Sequence, residues 1–156
     1  MKIKNKVWIN LIIAFLSVGF VAVISTLLSN RNSSWYELLL RPSEWPPKIL
    51  FPIIWSLIYF IIAVVLFIQL QNEKIDIDSI AILSFNGLFN ILWCLCFFTL
   101  NSTLWGLILI ILNLIFSVLL ALKYYKLNKN WGYIISIYPL WISFAFVLNL
   151  AVWILN

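Results

Sequence analysis

Histidine is absent from this 156-residue chain, methionine occurs once, cysteine twice and glycine four times. Acidic residues number five against ten lysines and arginines, and charged residues together make up only 10%. Each shortage closes a class of function. Without His no Ser–His–Asp triad can be assembled, and no GxGxxG, P-loop, HExxH or GxSxG pattern is present. Cys94 and Cys96 stand two residues apart, which on a helix is about 200° of rotation, so their thiols diverge. With no His to complete a ligand set, no metal site is expected. All five acidic residues (Glu37, Glu44, Glu73, Asp76 and Asp78) fall between apolar runs, and no Lys or Arg lies mid-run. Proton- and ion-coupled transporters place ionisable groups inside the bundle, and inverted-repeat transporters pair helices broken by Gly or Pro. Neither pattern is visible. The net charge of +5 has no nucleic-acid-binding motif behind it, so no nucleic acid is expected as a partner.

What the chain has in excess is apolar surface: 65% of its residues are hydrophobic and its mean hydropathy is +1.09. A soluble domain of this size cannot hide that much in one core. Five apolar runs, at about 7–29, 49–71, 79–99, 103–122 and 131–155, each approach the roughly 20 residues a helix needs to cross a bilayer. The reading is all-α: an integral membrane bundle of five transmembrane helices, one domain over 1–156, with short loops between antiparallel neighbours. Lys2, Lys4 and Lys6 before the first run imitate a signal peptide. That run is longer than the roughly 7–15 apolar residues of such a segment, so it is expected to stay as a mature helix. Lys2, Lys4, Lys6, Lys74, Lys123, Lys126 and Lys129 fall on one side of the bundle, and Arg31, Arg41 and Lys48 on the other. The positive-inside rule then puts the N-terminus in the cytoplasm, with a bacterial cytoplasmic membrane as the default location.

Polar and aromatic residues are arranged within those runs. Asn86, Asn90, Trp93 and Phe97 share one face of the third, and Tyr138, Trp141, Ala145 and Asn149 one face of the fifth. Trp55 and Tyr59 are one turn apart in the second. Asn113 lies inside the fourth. An amide in hydrocarbon needs a partner helix or a cavity. Trp8, Trp105, Trp131 and Trp153 fit an interfacial belt, whereas Trp93 and Trp141 lie several residues from the nearest run end. Apolar walls with a few placed polar groups describe a small-molecule pocket, and flat rings suit a flat aromatic ligand. Between the first two runs the chain reads WYELLLRPSEWPPKILFPIIW, residues 35–55. Its prolines forbid one continuous helix, its charges keep it out of lipid, and it is too aromatic for a solvated linker.

These residues resemble the TspO/MBR family of tryptophan-rich sensory and translocator proteins. The loop is similar to W-Y-x-x-L-x-x-P-x-W-x-P-P through Trp35, Tyr36, Leu39, Pro42, Pro46 and Pro47. Phe51, Pro52, Trp55 and Tyr59 follow F-P-x-x-W-x-x-L-Y. Asn90, Trp93, Phe97 and Phe98 follow L-N-x-x-W-S-x-x-F-F, and Trp141, Phe144, Ala145, Asn149 and Asn156 match the last motif. Departures are visible: Trp45 is one place late with Glu44 in its usual position, Ile137 replaces a proline that recurs as Pro139, and Cys94 replaces a serine. The resemblance implies a five-helix bundle, often dimeric, with a pocket beneath the first loop for porphyrins, haem or benzodiazepine-type ligands. It implies a lining of Tyr36, Trp55, Asn90, Trp93, Trp141 and Ala145, to which the stripes add Tyr59 and Tyr138. The loop at about 30–48, with Trp35, Pro42, Trp45, Pro46 and Pro47, becomes the lid, and Arg31, Arg41 or Lys48 would meet porphyrin propionates. No cofactor is required. Protoporphyrin IX or haem is the expected ligand, the metal-free ring being favoured because a haem axial ligand would have to be Tyr or Cys. Three roles follow from the resemblance: a tetrapyrrole receptor or sensor, a light- and oxygen-dependent porphyrin-degrading enzyme working beside Trp55 and Trp141, or a porphyrin or lipid translocator. Ser84 and Gly87 are the small residues available to a homodimer.

Overall fold

The computed structural model describes residues 2–29, 33–43, 45–71 and 76–156, with backbone alone for 2–5. Arg31, Glu44, Glu73 and Lys74, on which expectations rest, lie outside the described residues. The first helix, α1, runs Lys2–Leu28, and a short α2 spans Ser34–Leu38. Next come α3 (Leu50–Gln71), α4 (Ile77–Cys94, continued by a π-helical turn at Leu95–Thr99) and α5 (Thr103–Leu127). The last run is split into α6 (Lys129–Ile135) and α7 (Ile137–Leu155). Among the described residues five segments are long and apolar enough to cross a membrane, with α6 and α7 together forming the fifth.

Local chemistry explains the boundaries. Ser102 and Asn128 cap α5 and α6 by accepting the Trp105 N–H at 3.3 Å and the Asn130 N–H at 2.9 Å. Pro52 sits in the first turn of α3, where its missing N–H costs nothing. Pro139 can offer no N–H to Ile135 and its ring crowds that carbonyl, so the fifth span breaks at Ser136. A proline two places later than the motif has it still falls within the first turn of α7. The π-helical turn follows from packing: widening the helix brings Phe98, like Phe97, against Trp93, with centroids at 5.6 and 5.9 Å.

Around the bundle the order is α1, α3, α7, α5, α4, with α1 packed on both α3 and α4, and α6 folded against α5. Asn10 Nδ2 donates to the Leu70 carbonyl at 2.7 Å, and Thr99 Oγ1 to that of Leu28 at 3.2 Å, fastening both ends of α1. Ile12, Leu16, Phe20 and Leu27 point outward from α1 and Leu140, Val147 and Ile154 from α7, the surface a bilayer would cover. Gly87, expected from the sequence as small-residue surface for a second copy, is taken up inside the chain. A methyl group there would meet Val21 of α1 at 3.2 Å.

Candidate functional site

Three adjoining cavities run down the inner side of α3 and α4. The uppermost, a cleft of about 30 Å³, lies under Tyr36 and Trp45 and is bounded by Phe51, Trp55, Trp93 and Ala145. A chamber of about 320 Å³ shares Trp55 and Trp93 with it and is completed by Tyr59 and Asn90, by Ala22, Ser25 and Thr26 of α1, and by Ser29 just past its end. Beyond Tyr59 and Asn90 a third space of about 240 Å³ reaches Asn86, Tyr138 and Val18. The walls between cavities are therefore the rings and amides that the sequence motifs single out.

Periodicity placed the amides on inner faces, and hydrogen bonding separates their roles. Asn86 Nδ2 and the Tyr138 hydroxyl both donate to Asn113 Oδ1, at 2.8 and 2.9 Å, tying α4, α5 and α7 together. Trp93 Nε1 donates to Asn149 Oδ1 at 3.1 Å, and Asn149 Nδ2 to the Ala145 carbonyl at 3.0 Å. Asn90 differs. Its Nδ2 donates to the Tyr59 hydroxyl at 2.6 Å, while its Oδ1 is buried and finds no partner among the described residues. Ser25 Oγ, across the same chamber, is also buried and unpartnered there. Asn90 is 2% exposed and Ser25 5%, so bulk solvent does not satisfy them.

Trp55 stacks on Tyr59 at 5.5 Å and 30° and meets Tyr138 edge-on at 6.2 Å. Trp141 stands one ring back from the cleft, behind Phe51 at 5.8 Å, with its Nε1 buried and unpartnered among the described residues. No group of three His, Cys, Asp or Glu among the described residues is placed to hold a metal. The rings and amides of this interior provide surfaces for stacking and hydrogen bonding, and no carboxylate among the described residues lines the three cavities.

The loop expected to form the lid is built from its own local signals. Ser33 Oγ accepts the Tyr36 N–H at 3.2 Å and starts α2, which drives Tyr36 inward onto Phe98 at 5.4 Å and sets Trp35 against Phe97 at 5.5 Å. A turn closed by the Trp45 N–H on the Pro42 carbonyl (3.2 Å) brings Trp45 over the cleft. Pro46 is buried and Pro47 exposed, and the Pro47 carbonyl accepts the Leu50 N–H at 3.0 Å to lead into α3. Asn156 latches the lid: its Oδ1 accepts the Leu40 N–H at 3.0 Å and its Nδ2 donates to the Leu40 carbonyl at 3.1 Å.

Sequence reasoning missed the α1 wall. A signal was present, since Ala14, Val18, Ala22, Ser25 and Ser29 recur at three- and four-residue spacing and mark a small, hydroxyl-bearing stripe.

The family profile for TspO/MBR matches residues 11–154. A tryptophan-rich protein TspO from Archaeoglobus fulgidus is 34% identical over 146 residues, covering 93% of this chain and 94% of the relative. One from Chlorobaculum tepidum is 31% identical over 145 residues, 90% of each chain. Protein CrtK from Rhodobacter capsulatus is 28% identical over 127 residues, 79% of each. With a profile spanning nearly all of five membrane-length segments and relatives matched almost end to end, this chain belongs to the TspO/MBR family.

Proposed function

We propose that this protein is a membrane receptor for a flat, apolar ring ligand of the tetrapyrrole class, bound between Trp55, Tyr59 and Trp93 beneath the lid. The observation that carries this reading is the pairing of Asn90 Oδ1 with Ser25 Oγ in one aromatic-walled chamber. Buried polar atoms with no partner among the described residues are costly, and a ligand entering the chamber they line would satisfy them. The cleft of about 30 Å³ is too small for a ring with the lid down, so binding requires Tyr36 and Trp45 to lift and the two upper cavities to merge. A receptor role also agrees with the name of a Cereibacter sphaeroides relative, tryptophan-rich sensory protein, which is 24% identical over 152 residues. The N-terminus lies in the cytoplasm and the lid outside in this reading, on the Lys and Arg asymmetry.

The test is a titration of the detergent-purified protein with protoporphyrin IX in the dark, following tryptophan quenching. Saturable quenching near one ligand per chain supports the receptor, and linear quenching, which reports partitioning into detergent, removes it. Illumination of the saturated complex then separates roles. An unchanged porphyrin spectrum keeps the receptor reading, and a new product band replaces it with ligand degradation.

A further inference from the structure

A cation lies against the two rings, Tyr36 and Trp45, that cover the cleft. Arg41 Cζ lies 4.1 Å from the ring centroid of Tyr36 and 5.5 Å from that of Trp45. Its Nε and Nη2 are buried and have no acceptor among the described residues. These nitrogens share one edge of the guanidinium, the edge that takes both oxygens of a carboxylate in a bidentate contact. Trp45 Nε1, on the ring beside it, is also buried without an acceptor among the described residues. Three donors facing no acceptor among the described residues suit an anion. The two rings offset part of the cost by cation–π attraction, but a buried charged donor left unpaired remains costly. Lys48, another cation of the lid, is already engaged by Glu37 at 3.4 Å and is exposed, with 56% of its side chain open to solvent. The residue before Arg41 is held by the Asn156 latch, so the guanidinium has a defined position when the lid is down.

We propose that Arg41, assisted by Trp45, forms an anion seat in the pocket roof that selects ligands carrying a carboxylate at one edge. Pairing with that carboxylate satisfies donors that find no acceptor among the described residues. This rests on the reading of the cleft as the ligand pocket. Tyr36 connects the two, since it is a wall of the cleft and the ring beneath Arg41. A ligand with an apolar ring body and an acidic edge satisfies both halves, whereas a neutral ring ligand uses the aromatic walls alone.

The experiment is a dark titration of the full-length protein with protoporphyrin IX and with its dimethyl ester, which keeps the ring and removes the charge. Wild type, Arg41→Gln and Arg41→Lys are compared. Wild type is expected to bind the diacid about tenfold or more tightly than the diester, the scale of one charge-assisted contact. Arg41→Gln should lose that preference while its ester affinity stays at the wild-type level, which also shows that the variant is folded. Arg41→Lys should keep part of the preference, because it retains charge without the fork. Equal binding of acid and ester to wild type overturns the anion seat and leaves the pocket standing. So does an acid preference that survives in Arg41→Gln. If neither compound saturates, the pocket reading falls and the seat falls with it.

Discussion

Asn90 and Trp93 stand within one turn on α4, yet their polar atoms are used differently. The Trp93 indole N–H is spent on Asn149, a bond that holds α4 to α7. Among the described residues the Asn90 amide spends only its nitrogen, on Tyr59. Spacing placed both residues on the inner face but could not tell them apart, because the partner of each comes from a different helix. Trp55 and Trp141 part in the same way: Trp55 borders both upper cavities, and Trp141 is screened by Phe51. Trp55→Ala should therefore weaken protoporphyrin binding by about 1–3 kcal/mol, the usual loss for one stacking ring. Trp141→Ala should cost less, and dark titration of the two variants side by side checks the order.

Helices meet here through small residues and a few polar fastenings. Gly132 of α6 lies so close to α5 that an added methyl would fall on the backbone of Tyr125, which has nowhere to go. Ala has the better helix propensity by up to about 1 kcal/mol, but overpacking of this kind costs about 1–3 kcal/mol. Gly132→Ala should lower the melting temperature in detergent, measured by circular dichroism. At the head of α4, Ser79 Oγ donates to the Asp76 carboxylate at 2.7 Å and Lys123 of α5 is 3.1 Å away. The Ser79 hydrogen bond, and after it Lys123, hold this carboxyl below its ordinary value of 3.8, against the opposing effect of burial. A folded pKa below the unfolded one means the stabilisation is complete above the unfolded value and is lost as pH falls through the folded one. Asp76→Asn should thus melt earlier than wild type at neutral pH, and the gap should close as the pH is taken below 3.8. Behind this contact, the Tyr124 hydroxyl donates to Gln69 Oε1 and Gln69 Nε2 donates to the Asp76 carbonyl at 3.0 Å, so the same end of the bundle is also tied through α3.

At the scale of the molecule, the cavities lie between helices that are distant in sequence, and α1 closes the side that α3 and α4 leave open. Asn156, at the end of α7, is joined to the first long loop through Leu40. Cation asymmetry predicts which way this assembly sits in the bilayer. A reporter active only in the cytoplasm should be silent when fused after Asn156, and one active only outside should be switched on. The reverse pair of results would invert the topology and turn the lid inward.

Membrane residence, five crossings and the inner faces of three helices were legible in the sequence alone. Each depends on the length and period of an apolar run, and those are local quantities that lipid and the helix repeat impose on any chain. The fifth run reads in the sequence as one span, and only the structure shows it broken at Ser136, ahead of Pro139. Other features were decided by the tertiary structure: the π-helical turn that brings Phe98 beside Phe97, the α1 wall with Ser25, the packing of Val21 against Gly87, and the edge of Arg41 with no acceptor among the described residues. Whether a polar atom is satisfied, or a small residue filled, depends on which distant element arrives beside it, and that is settled when the helices pack.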